Sequence, residues 1–222
     1  MTGPRWITEA EYATALTLYR GRPELWTAEG LAELLDLFGI VGAPRILFDL
    51  TFTTPGFPLD LVRPHVGRAF VYSFRPEFAL PRDRWIALFE QIGYTLNGEA
   101  APASAEPVTL WRGCDQDFRD NLTWSPDRDV AVVFADRPGR YLYRVDVPPG
   151  RLLATMVEGT RGQPQCAARV KGLDKVREVL TDADRELAAE VRQGLDAAYA
   201  GATGDEAAHL EASRLVFGRW EK

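Results

Sequence analysis

The sequence has few of the residues that build stapled or metal-held folds. Its 222 residues include two cysteines and two histidines. Cys114 and Cys166 are too few for a disulfide framework. With only His65 and His209 beside them, no spacing resembles a structural zinc site, so no metal is expected. Lysine is scarce as well: Lys171, Lys175 and Lys222 are the lysines among 26 basic residues. A GC-rich gene explains that arginine bias without any special chemistry. No run approaches the roughly 20 apolar residues needed to span a bilayer, which excludes a membrane-spanning helix. The stretch Met1–Glu9 lacks the apolar core of an export signal. The expected compartment is the cytoplasm, with delivery by a specialised secretion system as the other route. Between Gly159 and Gly172 there is neither a GxGxxG nor a Walker pattern, and no internal repeat is visible.

What is present suits an ordinary globular chain. Hydrophobic residues make up 46% of the total, enough for a core and too many for wholesale disorder. The 32 acidic against 26 basic residues give a formal charge of −6, which opposes tight nonspecific binding to nucleic acid. The six tryptophans are scattered, which fits core positions better than a base-stacking platform. Cys114 reads as a buried, inert thiol and His65, next to Pro64, as a loop residue.

Periodicity divides the chain. Thr8-Glu-Ala-Glu11 is a capping-box pattern followed by Tyr12, Leu16 and Tyr19 at helical spacing. Thr27 opens a second helix with Leu31, Leu34, Leu35 and Phe38 on one face and Gly39 at its C-cap. Segments 45–52 and 68–74, rich in aromatic and β-branched residues, read as strands. Asp83 opens a helix carrying Trp85, Leu88, Phe89 and Ile92. Residues 97–107, small and punctuated by proline, read as a linker between a helical or mixed part (1–96) and a second domain (108–222). In that domain we expect strands at 108–112, 141–147, 151–155 and 178–181, and a helix from Asp127 to Phe134 with Val130, Val133 and Phe134 on its apolar side. A long mobile loop is expected over 158–176. Helical stripes follow at Leu187, Val191, Leu195 and Ala198 and again from Leu210 to Phe217.

Three features follow the linker in order: a strand ending in Arg112-Gly113, the run Thr123-Trp124-Ser125 ahead of a helix ending Phe134-Ala135, and Glu178 placed after the long loop. Each has a plain reading by itself. A strand-terminal arginine pairs ions at the surface, Thr-x-Ser-Pro-Asp caps a helix, and a glutamate at a strand start, as Glu178 is read here, is solvated.

As a set they resemble the arginine–serine–glutamate class of ADP-ribosyltransferases, together with Trp85-Ile-Ala-Leu-Phe89, Tyr-Arg-Val and Val-Pro-Pro. The resemblance covers roughly residues 84–182. It implies an α+β protein, with a split-sheet ADP-ribosyltransferase-like domain behind the mainly helical N-terminal part. It also implies NAD+ as co-substrate. Arg112 would grip the NAD+ phosphates, Glu178 the nicotinamide ribose, and Gly113, Thr123, Trp124, Ser125 and Phe134 would shape the pocket. Arg137 and Arg140 fall where the family has its phosphate–nicotinamide loop. The chemistry suits these residues: nicotinamide leaves as a neutral group, so a carboxylate near the oxocarbenium-like transition state stabilises it without a strong general acid. An arginine fork fits a pyrophosphate oxygen better than lysine does.

The resemblance implies mono-ADP-ribosyl transfer to a protein or nucleic acid, in a toxin or effector that an antitoxin or immunity protein would restrain. NAD+ hydrolysis and a non-catalytic binding module are the alternatives. Two positions depart from the family. Thr123 replaces a serine. Val176 stands where arginine-modifying members carry Gln or Glu, two residues before the glutamate, and a valine cannot polarise an acceptor. The basic residues Arg161, Arg169, Lys171 and Lys175 near that position suit an anionic target or a solvated loop equally.

Overall fold

A computed structural model describes residues 8–73, 76–157 and 163–201. Trp6, Arg161, His209, Trp220 and the segment Leu210–Phe217 lie outside the described residues, as do the side chains of Leu195 and Ala198. The protein is α+β. It divides into two compact units that do not follow chain order. The first comprises Met1–Val108, Asn121–Trp124 and Val147–Lys171; the second comprises Thr109–Asp120, Ser125–Asp146 and Gly172–Lys222. The expected division into 1–96, a linker and 108–222 runs along the chain, whereas these units share it out by packing.

The first unit is a helical cluster beside a small sheet. Helix α1 (Glu9–Arg20) starts at the expected capping box, with Thr8 and Glu11 each bonding the other's backbone, and buries Tyr12, Leu16 and Tyr19. The Tyr12 hydroxyl donates to Asp49 Oδ2 at 2.7 Å. Burial, together with that carboxylate, pushes the phenol far above its ordinary pKa. Thr27 caps α2 (Ala28–Thr53). Gly39 does not end this helix; its φ of 62° makes a kink and the helix resumes. Helix α3 (Leu59–Tyr72), the short α4 (Pro76–Ala79) and α5 (Arg82–Ile92) follow.

The expected strand at 45–52 is therefore corrected to helix, as is 68–72 of the expected strand at 68–74; Ser73 caps α3, Phe74 lies outside the described residues, and His65 lies on α3 rather than in a loop. The reason is packing: Ile46, Leu47, Leu50, Val66 and Phe70 fill one core with Trp85, Leu88 and Phe89. Phe70 meets Trp85 edge-on at 5.2 Å. Tertiary burial outweighs the weak β-propensity of these residues.

The sheet of this unit has the order β2-β1-β6-β7-β4. Its strands are β1 (Thr95–Leu96), β2 (Glu99–Ala100), β4 (Thr123–Trp124), β6 (Leu152–Met156) and β7 (Gln165–Ala168). Asn97 and Gly98, both at positive φ, turn β1 into β2, so the expected linker begins as a hairpin, and 101–107 carry no helix or strand. Strand β7 falls inside the expected long loop. It pairs antiparallel with β6 on one side and β4 on the other.

The second unit is built on a three-stranded sheet of order β3-β5-β8. Strand β3 is Val108–Asp115, β5 is Arg140–Val147 and β8 is Val176–Glu178. Glu178 thus closes a strand instead of opening one. Asp127 caps α6 (Arg128–Ala135) with its side chain. The buried residues of α6 are Ala131, Val132, Val133 and Ala135, while Val130 and Phe134 of the expected apolar side are half-buried. Helix α7 (Asp182–Gly201) follows β8. Ala131, Val132, Ala135, Leu142 and Ala188 form the core of this unit, with Trp111, Leu180 and Leu187 packed against it.

Candidate functional site

The second unit places Arg112 by fixing its neighbours. A Cβ on Gly113 would stand 2.1 Å from the Ala131 carbonyl oxygen and 2.3 Å from the Ala135 nitrogen. Only glycine lets α6 approach β3 so closely, so the residue expected to touch cofactor is a packing contact. Trp111 and Ser125 exchange both backbone bonds, N–H to O at 2.8 and 2.9 Å, as an antiparallel bridge. The Ser125 hydroxyl is buried and accepts from the Asp127 N–H at 3.0 Å. It therefore holds the turn into α6.

Strand alternation then separates the two residues expected to act together. Trp111 and Gly113 point to the α6 side of the sheet. Arg112 consequently points to the other side with Cys114. Burial pushes the Cys114 thiol up, and the Arg112 guanidinium beside it pulls the other way. Across β5, Leu142 lies in the core with Ala131 and Ala135 and stands directly opposite Glu178. Directly opposed residues share a face, so Glu178 lies on the α6 side. Tyr143 and Arg177 pair on the other side. Arg112 and Glu178 are on opposite faces of one sheet.

Glu178 is also engaged. Its Oε2 accepts from Arg128 Nε at 3.1 Å, and its Oε1 lies 3.8 Å from Arg144 Nη1. The same Arg128 makes a bidentate contact with Asp184, at 2.6 and 3.1 Å. Asp184 is the third residue of a reciprocal cap on α7: it accepts from the Thr181 N–H at 2.9 Å and donates its own N–H to Thr181 Oγ1 at 3.2 Å. The Arg128 guanidinium and the Thr181 bonds hold the buried Asp184 carboxyl well below the usual carboxylate range. This network ties the start of α6, the end of β8 and the start of α7 together. Neither Arg128 nor Asp184 stood out in the sequence; a Thr181-x-x-Asp184 cap was the available signal.

Thr123 and Trp124 belong to the first unit, on β4. Trp124 is 2% exposed and its indole N–H donates to the Asn121 carbonyl at 2.8 Å, so it is a core side chain. Thr123 stands opposite Ala167 and Trp124 opposite Cys166, which puts this strand beside β7. The strand that follows residues 158–162 in the chain is thus β7, and it opens with Gln165, with Gln163 two residues before.

Phe134 lies on α6, half-buried, and its carbonyl accepts from Arg140 Nη1 at 3.4 Å. Arg140 also lies 3.9 Å from Asp115. Arg169 Nη1 contacts Glu90 at 2.5 Å in a surface ion pair, whereas Lys175, whose side chain is largely buried, holds Asp120 through Nζ at 2.8 Å. Val176 shares the Glu178 face, directly opposite Arg144.

Among the described residues, no group of three His, Cys, Asp or Glu side chains is arranged to hold a metal ion. No helix among them is long and apolar enough to cross a membrane. No family model matches the chain, and no curated protein or solved structure matches it either.

Proposed function

We propose that the chain is an ADP-ribosyltransferase-like module that binds NAD+ through Arg112 and does not cleave it. The observation that carries this reading is the position of Glu178. The one glutamate available to the motif set lies across the sheet from Arg112, and Arg128 and Arg144 neutralise it. A carboxylate committed to two arginines has little negative potential left to stabilise an oxocarbenium ion. A second observation supports it. In the resembling family a glutamate stands on the strand after the recognition loop, whereas here that strand opens with the neutral amide Gln165. Arg112 keeps the chemistry of a phosphate fork, and its strand is pinned by Gly113 and Ser125.

Mono-ADP-ribosyl transfer to a protein or nucleic-acid acceptor, as a toxin or effector with a neutralising partner, is the second reading. It is favoured by the Trp111–Ser125 bridge, which sets the serine-bearing segment next to the arginine-bearing strand as the resemblance expects.

The deciding experiment measures NAD+ binding and nicotinamide release by the full chain, with and without cell lysate. The binding-module reading expects saturable binding, weakened about tenfold by Arg112→Lys, and no release. Release lost in a folded Glu178→Gln protein would establish catalysis by Glu178. Dependence on lysate would then indicate transfer, and independence hydrolysis.

A further inference from the structure

We propose that the second unit carries a cleft for a phosphate-bearing small molecule of mononucleotide size, read by Arg119 and Arg177. The cleft measures about 470 Å³, within the range of small-ligand sites. It opens on the sheet face away from α6, beside Tyr143. This proposal stands apart from the Arg112 reading, because Arg112 does not line the cleft.

The charges around the cleft are unequal. Lys175, Asp120, Asp174, Arg119 and Arg177 all line it. Lys175 Nζ lies 2.8 Å from Asp120 Oδ1 and also donates to the Leu173 carbonyl at 3.0 Å, so this pair neutralises itself and holds the loop. Among the described residues neither Arg119 nor Arg177 has a carboxylate within ion-pair distance. Asp174 remains as one exposed carboxylate against two guanidinium groups. The Arg177 guanidinium stacks 3.3 Å over the Tyr141 ring, which fixes its plane and leaves its N–H edge to donate. Arg119 follows the 3₁₀ turn Gln116–Phe118 and is half-buried. The positive charges of both arginines act on Tyr143, opposing the upward push that burial gives its phenol.

Two guanidinium groups line one small concavity, Arg119 half-buried and Arg177 exposed, and their like charges favour an anion between them. A phosphate monoester, with a charge near −2 and three acceptor oxygens, satisfies both forks. A volume of this size leaves room for a ribose and base as well.

The test titrates AMP into the full-length protein by calorimetry, with adenosine as the phosphate-free control. Saturable AMP binding is expected, with adenosine at least tenfold weaker. Arg119→Gln and Arg177→Gln should each weaken AMP about tenfold or more. Asp174→Asn should tighten it about two- to fivefold, a gain that misfolding cannot produce. Absence of AMP binding, equal affinity for adenosine, or AMP affinity unmoved by all three substitutions would overturn the proposal. So would loss of AMP binding in Arg112→Lys with Arg119→Gln and Arg177→Gln unaffected, which would move the site to Arg112.

Discussion

Leu142 and Glu178 face each other across β5 and β8, and this pairing puts a charged residue on the same sheet face as the core of its unit. The charge is tolerated there because Arg128 and Arg144 accompany it. Removing it should therefore cost stability before it costs any chemistry. Glu178→Gln keeps the shape and one acceptor, and should lower stability by about 1 kcal/mol, since the pair is partly exposed. A melting curve checks this, and an unchanged curve together with altered NAD+ binding would contradict the structural role.

Asp184 should matter more. It is 7% exposed and accepts from both Arg128 and the Thr181 backbone. Asp184→Ala should cost about 2–3 kcal/mol, or several degrees of melting temperature for a chain of this size.

The same carboxylate sets a pH dependence. Its folded pKa is depressed below the unfolded value, so the stability it contributes is fully present above about pH 4 and lost as pH falls through the folded pKa. The melting temperature of the native protein should fall on acidification below pH 4. In Asp184→Asn that part of the slope should disappear.

Gly113 offers a steric test. Alanine there would meet the α6 backbone, which cannot give way as a side chain can. Gly113→Ala should destabilise by about 2–4 kcal/mol and perturb the α6 resonances, whereas a purely cofactor-contacting glycine would leave the unliganded protein's stability unchanged.

How much of this was legible in the sequence depended on whether a local rule or a distant partner decides the outcome. The Thr8–Glu11 box and the stripe of Trp85, Leu88, Phe89 and Ile92 are local, and both came out as read. Residues 45–52 were misleading because Phe48 and Phe52 interrupt the short polar face of Arg45 and Asp49, which blurs the helical period of the buried Ile46, Leu47 and Leu50. Gly39 carries the conformation of a helix terminus, yet the chain re-enters a helix at once. Gln165-Cys-Ala-Ala168 has no β signature and is a strand because β6 and β4 flank it. The order Arg112, Ser125, Glu178 was readable, but the face on which Glu178 lies is set by its register against β5, which no linear motif encodes.

The turn at Asn97 has a slower consequence. Its backbone is held by the N–H bond to the Thr155 carbonyl, and its side-chain oxygen accepts from the Val157 N–H at 2.7 Å. An exposed asparagine before glycine is the sequence most prone to succinimide formation, because glycine's N–H meets no side-chain obstruction. The Val157 bond fixes the side-chain carbonyl in one orientation, so the hairpin restrains the reorientation that ring closure needs while folded. Stored protein should accumulate the acidic isoaspartyl form at this site faster when unfolded than when native, which makes Asn97 a built-in record of how long a molecule has spent open.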